Sequence, residues 1–147
     1  MVTFWQAPEG VRVLKDGAWQ VGGFPIVHAP SLRHLKQRLV VEDGGAYLVD
    51  GPQRLPVEVE GPPFEVVTLV LDPAKGEARA VLDDGSDESL ADAAMNEETG
   101  RFECLCRGGR ARAVFSRVAH QVLLDHLVEV EGAFFLCVGP RRIPVRT

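Results

Sequence analysis

The chain lacks any apolar run approaching the ~20 residues needed to cross a bilayer. Its first ten residues, MVTFWQAPEG, also lack a basic stretch leading into an apolar core. A membrane-spanning helix and a secretory leader are therefore not expected, and cytoplasmic residence is the default. Cysteine is scarce. Cys104, Cys106 and Cys137 cannot build a disulfide framework, so reduced thiols are expected. Also missing are the Gly-x-Ser-x-Gly nucleophile elbow, the Gly-x-x-x-x-Gly-Lys phosphate loop and the ligand order of an EF-hand. No enzymatic activity and no cofactor are expected.

What is present fits one compact unit or two very small ones, since domains run to roughly 100 to 150 residues and the chain has 147. With 46% hydrophobic and 25% charged residues, the composition is that of a globular protein. The net charge of -5 is unevenly spread: residues 1–99 hold 8 basic and 17 acidic side chains, and residues 100–147 hold 8 basic and 4 acidic. Such polarity either steers an anionic ligand to the basic part or draws the two parts together.

GPQRLPV at residues 51–57 returns as GPRRIPV at residues 139–145. Sliding the chain by 88 positions aligns 26–59 with 114–147 without a gap and leaves ten identities: Leu35/Leu123, Leu39/Leu127, Val40/Val128, Gly44/Gly132, Leu48/Leu136, Gly51/Gly139, Pro52/Pro140, Arg54/Arg142, Pro56/Pro144 and Val57/Val145. An ungapped register with matched turns reads as an internal duplication. Phe115, Val118, Ala119, Val122, Leu123 and Leu127 recur at helical spacing in the second copy, and Leu32, Leu35 and Leu39 form a weaker stripe in the first. Ser31, after Pro30, is the expected N-cap there.

After each helix the pattern is strand, glycine turn, strand, with turns at Asp43-Gly44-Gly45 and Glu131-Gly132. The repeated Gly-Pro is a second turn into a short strand, where Pro56 and Pro144 point to edges or bulges because proline donates no ladder bond. A strand pair also precedes each helix. The expected class is α+β, with two repeated β-β-α-β-β units and mostly antiparallel sheets. The expected division is an N-terminal repeat at 1–60, a hairpin with an acidic solvated connection at 61–99, and a C-terminal repeat at 100–147.

This organisation resembles the uncharacterised bacterial family called domain of unknown function 1285 (DUF1285). The resemblance lies in DGAWQVGGFPI, through Asp16, Gly17, Trp19, Gly23, Pro25 and Ile26, then in DGGAYLVDGP, VEVEGPPFEVV and RGGRARAVFSRVAHQVLLDHL. It implies a duplicated fold whose C-terminal part is superficially like a pleckstrin-homology domain. It also implies a ligand site between the two parts, a nucleotide-like or nucleic-acid-based ligand, and a role in signalling. LDDGSD at 82–87 departs from the family's Thr-Asn-x-Gly-Asp by placing carboxylates where neutral donors are expected.

Cys104 and Cys106, two apart on a strand, share a face, but their spacing misses that of zinc sites, so small buried hydrophobes are the reading. His120 and His126, six apart, do not share a helix face. The arginines remain. Arg107, Arg110 and Arg112 flank the Gly108-Gly109 turn, and alternation puts Arg110 and Arg112 on one face as guanidiniums suited to phosphate.

Arg54 and Arg142 hold equivalent places in the copies, and Trp19 offers either a stacking surface or a core residue. The expected function is therefore non-enzymatic binding of a nucleotide-like or other anionic ligand between the repeats through Arg54, Arg110, Arg112, Arg142 and Trp19. The competing expectation is a protein-interaction module that uses edge strands and needs no small ligand.

Overall fold

Short strands bounded by glycine turns dominate residues 10–147, which the computed structural model describes. The first part holds β1 (Val11–Val13), β2 (Trp19–Val21), β3 (Phe24–Pro25), α1 (Ala29–Arg38), β4 (Leu39–Glu42), β5 (Gly45–Asp50) and β6 (Gln53–Val59). These strands form a sheet in the order β3-β2-β1-β6-β5-β4, antiparallel throughout except for the parallel pair of β1 and β6.

A second sheet begins with β7 (Phe64–Asp72), β8 (Glu77–Leu82) and β9 (Asp87–Ser89). It continues with β10 (Ala93–Asn96), β11 (Arg101–Cys106), β12 (Ala111–Phe115), α2 (Arg117–Asp125), β13 (Leu127–Val130), β14 (Ala133–Val138) and β15 (Arg141–Arg146). Its nine strands run β13-β14-β15-β10-β11-β12-β7-β8-β9. The parallel pairs here are β10 with β15 and β12 with β7.

The expected α+β class is thus corrected. Strands make up 54% of the described residues and helices 14%, in two mixed sheets. The β-β-α-β-β unit is corrected too. Three strands precede each helix and three follow it, and both sheets use one permutation of them, β3-β2-β1-β6-β5-β4 matching β12-β11-β10-β15-β14-β13. The missing strands were hard to read because β3 has two residues and β10 is the short AAMN. Likewise, the acidic connection expected within 61–99 contributes β9 and β10 to the larger sheet.

The 88-residue offset reproduces the strand registers. Leu39 faces Leu48 and Leu127 faces Leu136; Leu48 faces Leu55 and Leu136 faces Ile143. Pro56 and Pro144 sit on interior strands, not edges. Each lies one residue before its parallel neighbour begins, at Val11 opposite Val57 and at Ala93 opposite Val145. On that side no ladder bond is forgone.

The helix caps sit at equivalent positions but differ in chemistry. Ser116 Oγ accepts from Ala119 N at 3.1 Å, as an N-cap hydroxyl does. In the first unit the cap is His28, not the expected Ser31: His28 Nδ1 accepts from Ser31 N at 3.3 Å and meets Ser31 Oγ at 2.8 Å. Pro30 falls in the first turn, where no N–H is required. Leu35 and Leu39 in the first unit, and Ala119 and Leu123 in the second, join one core that runs through both sheets. Trp19 is 2% exposed in that core, and its Nε1–H donates to Pro63 O at 2.9 Å.

The repeated turn glycines allow a direct comparison. Gly51 and Gly139 have φ of 56° and 55°, a left-handed conformation that costs a side chain roughly 1–2 kcal/mol. A Cβ at Gly51 would meet open space, whereas one at Gly139 would collide with the Pro73 carbonyl. Gly51→Ala should therefore cost about 1 kcal/mol and Gly139→Ala at least twice that, read as the shift of the urea unfolding midpoint. Equal shifts would show that the Pro73 contact carries no weight.

Candidate functional site

The face of β4, β5 and β6 carries Val41, Ala46 and Val57 in one cross-strand row. Val59, Gly61 and Pro63 continue it toward the second sheet, and Arg110, Ala111 and Arg112 at the start of β12 rise opposite. Between these walls lies a cleft of about 390 Å³, with Glu42 and Asp43 at the β4 end. Gly61 leaves no room for a side chain, since a Cβ there would strike the Leu14 and Lys15 carbonyls.

The charged groups of the cleft differ in how firmly they are held. Arg112 Nη1 donates to Glu103 Oε1 at 3.0 Å, and Glu103 also accepts from Asn96 at 2.9 Å. Glu42 accepts from Arg54 at 2.9 Å, and the Arg54 guanidinium stacks on Tyr47, 4.6 Å from the ring centroid. Arg110 meets Asp43 only at 3.9 Å.

Of the expected ligand residues, Arg110 and Arg112 line this cleft, and Arg54 touches it through Glu42. Arg142 does not line it; it is exposed on β15 opposite Cys137. Trp19 belongs to the core. Cys104 and Cys106 do share a face, a buried one, where burial and then Glu88 push both thiols up to about 12. Cys137 is half-buried. His120 packs on Phe102 at 5.2 Å between centroids, and His126 ends α2 within reach of Val122 O.

Arg107 behaves unlike Arg110 and Arg112. Its guanidinium lies over Phe64, 4.7 Å from the centroid, and pairs with Asp84, while its N–H donates to Glu88. Burial alone would raise the Asp84 carboxyl, but the Ser86 hydroxyl and amide and the Arg107 guanidinium together hold it below the usual carboxylate range. Next to it, Asp83 accepts from Glu65 N at 2.9 Å and pairs with buried Lys36, and Gln37 donates to Asp84 O at 2.8 Å. LDDGSD is therefore a polar joint between α1 and the larger sheet, not a solvated connection. A hairpin turn after the alternating ARAVL was the available signal, but the carboxylate count masked it.

The charge asymmetry acts mainly inside the molecule. Arg101 pairs with Glu65, Arg107 with Asp84 and Glu88, Arg110 with Asp43, and Arg146 with Asp92, each joining 100–147 to the acidic part.

These features define a two-sheet fold with an internally repeated topology and a cleft between its copies. The structure is similar to a DUF1285 family protein from Silicibacter pomeroyi DSS-3, with a TM-score of 0.73 and 23% identity over 93% of this chain and 79% of that one. It is also similar to a DUF1285 family protein from Shewanella baltica OS155, with a TM-score of 0.61 and 12% identity over 78% of this chain and 90% of that one. No protein-family model and no curated protein matches the sequence. The chain has the DUF1285 fold, as the resemblance in its residues implied. Among the described residues no helix is long and apolar enough to cross a membrane.

Asp84 sets a pH test. Because its folded-state pKa is depressed, it contributes stability fully above the unfolded value near pH 4, and that contribution is lost as pH falls through the folded-state value. Asp84→Asn should lower stability by roughly 2 kcal/mol at pH 7, given that Arg107 is partly solvated. The loss should shrink toward pH 3, as measured by urea unfolding at both pH values. A pH-independent loss would mean that shape, not charge, is what Asp84 supplies.

Proposed function

We propose that the protein is a non-enzymatic binding protein whose cleft takes a small ligand by an anionic group, nucleotide-like or otherwise, as a step in bacterial signalling. The observation that carries this reading is that Arg110, in the turn before β12, and Arg112, on β12, both line a concave space between two sheets. A guanidinium is well matched to carboxylate or phosphate, and a site between structural units is where small ligands most often bind. Glu42 is held by Arg54, and Glu103 by Arg112 and Asn96, so these two carboxylates serve as partners to arginine. Three free thiols suit a reducing compartment, which favours the cytoplasm.

A ligand specific to the folded state must raise its apparent stability. Thermal-shift measurements with nucleotides, inorganic phosphate and small carboxylates should give a rise in Tm with at least one of them, lost in Arg110→Ala. No rise with any, or one unchanged in the variant, would remove the reading.

The interaction-module alternative keeps one specific support. The edge strands β4 and β13 carry exposed Val40 and Val128 at equivalent positions, and open edges can accept another strand. It no longer draws on Pro56 or Pro144, whose strands are interior.

A further inference from the structure

We infer that the cleft selects a small zwitterion with an apolar body, of the α-amino-acid type, its carboxylate held by Arg110 and its ammonium by Asp43. This rests on the cleft being a ligand site and goes further by naming the ligand's charge.

The two walls carry opposite signs. The β4 end and its turn supply Glu42 and Asp43, and the start of β12 supplies Arg110 and Arg112. A ligand of high net charge gains at one wall what it loses at the other. Glu42 and Arg112 already have close partners in Arg54 and Glu103, and Glu103 is only 9% exposed, which fixes Arg112 to it.

The remaining pair is loose. Arg110 and Asp43 approach only to 3.9 Å, with side chains 60% and 97% exposed, beyond hydrogen-bond reach. A zwitterion exchanges that contact for two charge-assisted hydrogen bonds, and the guanidinium fork accommodates a carboxylate in bidentate fashion.

The floor of the cleft matches the apolar half of the ligand. Val59, at the end of the largely buried row of Val41, Ala46 and Val57, is 40% exposed, so a ligand's hydrocarbon against it covers valine surface now facing water. A volume of about 390 Å³ lies at the small end of ligand pockets. It suits an amino acid better than a nucleoside triphosphate.

Titration calorimetry on the full chain with L-leucine, L-phenylalanine, N-acetyl-L-leucine, L-leucinamide and ATP separates the charges. L-leucine or L-phenylalanine should bind at least tenfold tighter than the acetylated form, which keeps only the carboxylate, and than the amide, which keeps only the ammonium. Arg110→Ala and Asp43→Ala should each abolish that binding at unchanged Tm, since both side chains are exposed. ATP or N-acetyl-L-leucine binding tighter than the amino acids overturns the inference and leaves the cleft an anion site. Silence from all five probes overturns the inference and the ligand reading together. Amino-acid binding that survives both substitutions overturns the inference by locating the site elsewhere.

Discussion

One parallel strand pair closes each unit, and the rest of the fold follows from that closure. β1 lies beside β6 and β10 beside β15 with the chain running the same way, so neither pair can be joined by a tight turn. The connection must cross, and in each unit a helix is part of the crossing. α1 needs a face to pack and has Leu35; α2 has Ala119 and Leu123. Closure also makes β6 and β15 interior strands, which puts Val57 and Val145 in the core. Val57 belongs to the row that floors the cleft, so the candidate site depends on the same pairing that completes the sheet.

Association of the two sheets rests on apolar burial, with polar contacts setting the alignment. Trp19 spans the boundary, its ring in the core and its N–H on Pro63. Around it, Lys36, Gln37, Asp83, Asp84 and Arg107 are bonded to one another across elements distant in sequence. Buried ion pairs are weak sources of net stability because desolvation offsets their attraction, yet breaking one is costly. Their effect is to penalise any other docking of α1 on the β8–β9 turn. The same consideration ranks the arginines: Arg107 is committed to structure, Arg112 to Glu103, and Arg110 is the one left with a loose partner.

Local patterns showed what local physics controls. The apolar stripes, with glycine turns after them, located both helices, although Leu39 and Leu127 at their ends open β4 and β13 instead of continuing the helices. The 88-residue offset anticipated the registers of β4, β5 and β6 against β13, β14 and β15. Alternation singled out Arg110 and Arg112, and both line the cleft, with Arg110 in the turn before β12 and only Arg112 on the strand. What was not legible involves partners far apart in sequence. The parallel pairing of Val11 with Val57 leaves no trace in either segment, and without it Pro56 looked like an edge residue. Trp19 gave no local sign of whether it would stack on a ligand or fill the core. Asp84 looked solvated because its partner, Arg107, is 23 positions away.

Repetition of sequence did not carry repetition of role. Arg54 and Arg142 align, but the first has Glu42 and Tyr47 beside it, where the second unit has Val130 and Phe135. The matching face of the second unit is also concave, lined by residues of β14, β15 and their ends. There the carboxylates of Glu42 and Asp43 become Val130 and Glu131, and among the described residues no strand start rises opposite to form a second wall. The first unit has that wall because β12 belongs to the copy that follows it in the chain. Duplication thus produced two similar faces, and their order along the chain turned only one of them into a cleft with charge on both sides.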